Sequence, residues 1–202
     1  MLELKDVTFS YPGKEAIFNG LNMKLPPKGD VHLKGPNGCG KTTLLKIMSG
    51  LIIPQAGEKL WEEKKLNLEQ TNFLSANESG FFDQVTGKEG LELFCQLNGT
   101  KLENTLAFNI VQDELFESIN TTEFYRMSSG MKRLFMIALC FTKSARLFFL
   151  DEPFIGLDRE RANALADKLK RISKDCLVVL TSHTEVNAKM TIDLEHILDS
   201  RA

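Results

Sequence analysis

The chain has 202 residues, of which 43% are hydrophobic and 26% charged, and its formal net charge is −2. This balance indicates one globular domain with enough apolar material for a core, and the lack of a basic excess argues against a dedicated nucleic-acid binder. The longest apolar run, residues 134–141, falls far short of the roughly 20 residues that cross a bilayer, so a membrane-spanning part would belong to another polypeptide.

Strand and helix signals alternate along the first half of the chain. Apolar and polar residues alternate on either side of a Pro-Gly break, which predicts a β-hairpin. A glycine-rich stretch then separates a short strand from a helix that ends at a glycine. The elements predicted here are strands at residues 2–11, 17–25 and 31–34, a helix at 41–49 ended by Gly50, and weaker strands at 59–61 and 71–74.

The second half begins with a stretch, residues 76–125, that favours helices and loops and resembles a helical insertion. Two uninterrupted apolar runs follow, and such runs are typical of strands buried on both faces. Strands that alternate with helices predict a mostly parallel α/β sheet, whose ligands bind beyond the carboxyl ends of the strands. The elements predicted here are helices at about 86–97, at 159–172 and from Ser128 or Ser129 to Phe141, and strands at 147–150 and 176–181.

The glycine-rich stretch fits the phosphate-binding pattern GxxxxGKT. Its glycines allow backbone N–H groups to turn toward one anion, and the helix that follows directs the positive end of its dipole to the same place. Lys41 would bring a full positive charge to the outer phosphates of a nucleotide, and the hydroxyl of Thr42 would ligate Mg²⁺. The residues of this predicted cradle are Gly35, Pro36, Asn37, Gly38, Cys39, Gly40, Lys41, Thr42 and Thr43.

Two acids, Asp151 and Glu152, come directly after the apolar run at 147–150. A metal bound to phosphates needs a hard oxygen ligand at the end of a neighbouring strand, and Asp151 is expected to supply it through water. Glu152 is expected to act as the general base that polarises the attacking water. Acids at a strand end are common on protein surfaces, and the phosphate-binding pattern favours the functional interpretation here.

With these motifs placed, the sequence resembles the ATP-binding domain of ABC transporters along nearly its whole length. Residues 127–131 resemble the family's signature segment LSGGQ, and residues 154–158 resemble its D-loop. His183 matches the switch histidine that contacts the γ-phosphate, and Tyr11 matches the aromatic residue that stacks on adenine. The resemblance implies a P-loop NTPase core (residues 1–75 and 127–202) with an N-terminal antiparallel β-subdomain and a helical subdomain at about 76–126.

The resemblance also implies a mechanism and its partners. Two such domains pair head to tail, as a homodimer here, and sandwich ATP and Mg²⁺ between the phosphate loop of one copy and Ser128, Ser129 and Gly130 of the other. ATP would close the pair, and hydrolysis would release it. The domain would drive a transmembrane permease subunit and lie at the cytoplasmic face of the membrane, without binding nucleic acid or crossing the bilayer. Length and layout resemble compact export-type subunits, such as those of cytochrome c maturation, which favours export.

The sequence departs from the family at three places. The Q-loop glutamine is missing near Ala76, where Asn77 is the candidate replacement as a magnesium ligand. Ser129 and Met131 replace a glycine and a glutamine of the signature, which predicts slower turnover. Cys39 places a thiol within the phosphate loop, and the four cysteines otherwise form neither a zinc pattern nor a disulfide framework, as expected in a reducing cytosol.

Two other functions fit the same motifs. One is a soluble ABC ATPase that acts on proteins, ribosomes or DNA, although such proteins often carry two fused domains or long coiled-coil insertions. The other is a nucleotide-dependent switch or assembly subunit with little turnover, which the missing glutamine and altered signature favour and the general base Glu152 disfavours.

Overall fold

The computed structural model describes residues 1–76, 83–112, 114–183 and 186–199. None of the helices within these ranges has the length and apolar character that a membrane crossing requires. In chain order the elements are β1 Leu2–Ser10, β2 Ala16–Leu25, β3 Gly29–Lys34, α1 Lys41–Ser49, β4 Ala56–Trp61, β5 Lys64–Lys65, β6 Thr71–Leu74, α2 Gly87–Leu97, α3 Leu106–Val111, α4 Glu114–Thr121, α5 Ser129–Cys140, β7 Leu147–Leu150, α6 Arg159–Ile172, β8 Leu177–Thr181, β9 Met190–Asp193 and α7 Leu194–Asp199.

The strands form two sheets of different character. The first has the order β2-β1-β4-β5 and is antiparallel, with the predicted hairpin of β1 and β2 at one side. The second has the order β6-β7-β8-β3-β9, and all four of its strand pairs are parallel. The predicted fold class, an α/β core with a mostly parallel sheet and an N-terminal antiparallel sheet, is therefore confirmed.

The parallel sheet separates two apolar cores because successive side chains of a strand point to opposite faces. Leu147 and Phe149 of β7 pack with α1 and the antiparallel sheet. Phe148 and Leu150 pack on the other face with the helices from α2 to α6. The β7 strand, like β8, is buried along its whole length, which explains why both read as uninterrupted apolar runs.

The helix boundaries follow the capping signals of the sequence. Thr86 and Glu89 form the predicted capping box at the start of α2, with both reciprocal hydrogen bonds present. Ser128 caps α5 by accepting a hydrogen bond from the N–H of Met131. Gly50 ends α1 in the left-handed conformation at φ 85°, which a glycine adopts without steric strain.

The elements after β8 carry no clear signal in the sequence and were not predicted from it. Strand β9 adds to the edge of the parallel sheet beside β3, and α7 follows it directly. Only Ile192 of this strand is buried, so the apolar pattern that marks β7 and β8 is absent from it. Strand β9 therefore forms because it pairs with the neighbouring strand β3, and its own sequence does not predict it.

Candidate functional site

The phosphate-loop residues wrap around the side chain of Lys41. Its Nζ donates hydrogen bonds to the main-chain oxygens of Gly35 and Pro36, at 2.7 and 2.8 Å, so the ammonium group lies inside the turn. Gly40 has φ 101°, and a Cβ atom there would lie 2.6 Å from the Cγ2 of Ile17. This backbone path therefore needs glycine both for its conformation and for space.

The loop ends at the N-terminus of α1. Gly40 occupies the N-cap position without a side chain to cap the helix, and the first turn of α1 contains no acidic residue. The positive end of the helix dipole and its first N–H groups are therefore available to a negatively charged ligand. With the ammonium group of Lys41, this geometry is suited to bind phosphate.

Two acids extend from the carboxyl end of β7 toward this loop. The hydroxyl of Thr42 donates to both carboxylate oxygens of Asp151, at 3.1 and 2.9 Å. Asp151 is only 4% exposed, and the Thr181 hydroxyl donates a further hydrogen bond to it, at 2.9 Å. The two threonines thus hold this carboxylate in one position beside the phosphate loop.

Glu152 has an unusual backbone conformation, with φ 49°. Its N–H donates to the Thr181 hydroxyl at 2.9 Å, and its Oε2 accepts from the N–H of His183 at 3.2 Å. The Nε2 of His183 lies 3.5 Å from Oε1 of the same carboxylate. Thr181 therefore contacts both acids, and the loop after β8 brings the predicted switch histidine to the predicted general base.

These groups line one cleft of about 820 Å³ at the carboxyl ends of the parallel strands. At its rim the Tyr11 hydroxyl lies 3.3 Å from the Thr43 hydroxyl, and Gly35 and Pro36 lie behind Lys41. The predicted site residues that line the cleft are Tyr11, Asn37, Gly38, Cys39, Gly40, Lys41, Thr42, Thr43, Asp151, Glu152 and His183.

The Thr42 hydroxyl and the Asp151 carboxylate offer oxygen atoms that suit Mg²⁺. The described residues contain no group of three or more His, Cys, Asp and Glu side chains arranged to hold a metal. Mg²⁺ usually binds through one or two protein oxygens together with substrate phosphates, and this donor set fits that mode. Asn77, the further predicted ligand, lies outside the described residues.

The signature residues occupy a different part of the surface. Ser128, Ser129 and Gly130 begin α5, and none of them is among the described residues that line the cleft. A Cβ atom at Gly130 would lie 2.9 Å from the main-chain oxygen of Gly156. The start of α5 therefore packs directly on the loop that follows Glu152.

Three functional candidates were missed by sequence reasoning. Thr181 contacts both acids. The sequence feature that could have identified it is a hydroxyl side chain at the end of an otherwise apolar strand. His32, a polar residue within a buried strand, lies within hydrogen-bonding distance of the Ser182 carbonyl, with Nε2 at 3.3 Å. Arg133 is fully buried behind Asp151 and Glu152, although an arginine near the start of a helix normally predicts a solvent-exposed side chain.

Comparisons with known proteins relate this chain to one family. A family model described as "ABC transporter" matches residues 18–155. The cytochrome c biogenesis ATP-binding export protein CcmA of Histophilus somni is 27% identical over 180 residues, which cover 86% of this chain and 83% of that protein. The spermidine/putrescine import ATP-binding protein PotA of Mycoplasma mycoides is 29% identical over 198 residues, 93% of this chain and 56% of its own length.

Solved structures show the same fold. The dimeric post-hydrolysis state of the ATP-binding cassette MJ0796, bound to ADP and Pi, has a TM-score of 0.76 and 22% identity to this chain. The match covers 91% of this chain and 88% of the cassette.

Proposed function

This chain belongs to the ABC transporter family, as the resemblance predicted, and is an ATPase of that family; from that premise we propose that it binds and hydrolyses ATP to energise a separate membrane-spanning permease. The observation that carries the proposal is the single cleft that joins Lys41, Asp151 and Glu152. A phosphate cradle, a metal-ligating carboxylate and a general base are the parts that phosphoryl transfer to water requires.

Each residue of the cleft has a proposed role in this reaction. Lys41 and the backbone of the phosphate loop bind the outer phosphates, and the ring of Tyr11 stacks on adenine. Thr42 and Asp151 would hold Mg²⁺, and that ion would supply positive charge to neutralise the phosphates. Glu152 accepts a proton from the attacking water, and His183 orients that water against the γ-phosphate.

A second copy of the chain would complete the site. Ser128, Ser129 and Gly130 lie at the N-terminus of α5, away from the cleft of their own chain. A helix N-terminus that starts with a small serine and a glycine is suited to bind phosphate. The placement supports a head-to-tail homodimer in which these residues contact the ATP held by the partner copy, with residues 76–126 as a helical subdomain of each copy.

The relatives differ in the direction of transport that their names give, since one is an export protein and another an import protein. Two of the relatives, from Histophilus somni and Haemophilus ducreyi, are named as cytochrome c biogenesis export proteins. We therefore favour export, with the ATPase bound to the cytoplasmic face of the membrane through its permease. Purification of the chain from membranes together with a polytopic protein would support the role in transport, whereas recovery with ribosomes or DNA would favour the non-transport alternative.

The catalytic role is tested by the phosphate release rate of wild type and Glu152→Gln. We expect kcat to fall about 10²- to 10⁴-fold, the usual contribution of a general base. The affinity for Mg-ATP should remain, because the amide has the shape of the carboxylate and the phosphate loop is unchanged. Lys41→Met is the matched comparison, since it should remove binding itself. If wild type binds ATP but turns over no faster than Glu152→Gln, the chain is a nucleotide switch and not a motor.

A further inference from the structure

The guanidinium group of Arg133 lies behind the two acids of the cleft, on the side away from solvent. Its Nη2 donates to the main-chain oxygens of Asp151 and Glu152, at 2.5 and 2.8 Å. Its Nε donates to that of Pro153 at 3.4 Å. The carbonyls of three consecutive residues therefore accept hydrogen bonds from one side chain.

The same side chain also contacts the neighbouring strand. Nη1 of Arg133 donates to the carbonyl of Ser75, directly after β6, at 2.7 Å. The N–H of Asp151 in turn donates to the carbonyl of Leu74 at 2.9 Å. Arg133 thus joins the loop after β7, the end of β6 and helix α5, three segments that are far apart in sequence.

These contacts hold Glu152 in a conformation that it would rarely adopt otherwise. Its φ of 49° lies in the left-handed region, and such residues persist only where the surrounding structure fixes them. The Thr181 hydroxyl accepts a hydrogen bond from the N–H of Glu152. Arg133 donates hydrogen bonds to the carbonyls of Asp151 and Glu152, which lie on either side of the Glu152 Cα. The direction of the Glu152 carboxylate is consequently set by Arg133 together with Thr181.

We propose that Arg133 is a positioning residue for ATP hydrolysis, which aims the Glu152 carboxylate through the backbone without touching nucleotide. The inference rests on the proposed role of Glu152 as general base. Arginine suits the task because its fully buried side chain presents donors in a rigid planar fork. The ammonium of a lysine cannot reach the same carbonyls in the same directions.

The test measures kcat and KM for ATP in Arg133→Lys. Arg146→Lys is the matched control, because Arg146 lies on the surface with its side chain 64% exposed. We expect kcat of Arg133→Lys to fall about 10- to 100-fold, as for a misplaced catalytic group. KM should stay within about twofold, since Arg133 is not among the residues that line the cleft. If Arg133→Lys does not fold, Arg133→Gln replaces it.

A double substitution separates positioning from a general loss of structure. If Arg133 acts through Glu152, Arg133→Lys should slow Glu152→Gln by less than about twofold, because the base is already absent. An equal fold-loss in both backgrounds, or a kcat of Arg133→Lys within about twofold of wild type, would overturn the proposal. The failure of this proposal differs from a failure of the proposed function. A wild-type chain without ATPase activity would overturn the proposed function, whereas an active wild type with an unaffected Arg133→Lys variant would overturn only the positioning role.

Discussion

Substitution of Thr181 by valine removes one hydroxyl group and keeps the shape of the side chain. That hydroxyl donates to the Asp151 carboxylate at 2.9 Å and accepts from the N–H of Glu152 at 2.9 Å. Thr181 is fully buried, so water does not replace it readily. The valine variant leaves a buried carboxylate oxygen of Asp151 and the partly buried N–H of Glu152 each with one partner fewer.

The expected loss of stability follows from these two bonds. A hydrogen bond to a charged group contributes about 1.5–3 kcal/mol and a neutral one about 0.5–1.5 kcal/mol, so the free energy of unfolding should fall by about 3 kcal/mol. For a chain of this size that corresponds to a melting temperature lower by roughly 6–12 °C. Thr181→Ser keeps both bonds and loses one buried methyl group, which contributes about 1 kcal/mol.

Thermal and urea unfolding of the three proteins without nucleotide measure these differences directly. Turnover by Thr181→Val should also fall below that of Thr181→Ser, because the N–H of Glu152 is released. A valine variant as stable as the serine variant would refute the reasoning, since the hydroxyl would then contribute nothing that a methyl group does not. It would also contradict the idea that Thr181 helps to fix Glu152.

Two further predictions concern Cys39 and His32. Alkylation of Cys39 with iodoacetamide should abolish Mg-ATP binding, because its Sγ packs against Gly35 inside the phosphate loop, and bound Mg-ATP should protect this thiol from alkylation. Burial raises the pKa of the Cys176 thiol to about 12, which keeps that cysteine unreactive. Unchanged affinity for Mg-ATP in protein fully modified at Cys39 would contradict the placement of the loop. Burial, the largest cause, lowers the pKa of His32 below 6.5, so folding favours its neutral form. Stability should therefore be lost as the pH falls below about 6.5 toward the lower folded-state pKa, by at most about 1.4 kcal/mol per pH unit. In urea unfolding at pH 7.5 and 5.5, His32→Gln should lose less stability than wild type, and equal losses would exclude this histidine as the cause.

Much of the fold was predictable because the signals are local. The apolar runs at β7 and β8, the capping box at Thr86 and the glycine after α1 each act on residues close in sequence. The parallel arrangement followed from strands that alternate with helices. Strand β9 was not predictable in the same way. Its side chains show no strand pattern, and its extended conformation depends on hydrogen bonding to β3.

The residue types and spacing of the phosphate loop and the acid pair were sufficient to predict a nucleotide site, since anion binding by glycine-rich turns depends on local backbone geometry. The tertiary structure alone decided what supports those residues. Thr181 and Arg133 reach the Glu152 backbone from β8 and α5, and a sequence gives no measure of such distances between remote segments. Packing of the strands and helices, which brings remote polar groups within hydrogen-bonding distance, is the physical reason that these contacts exist.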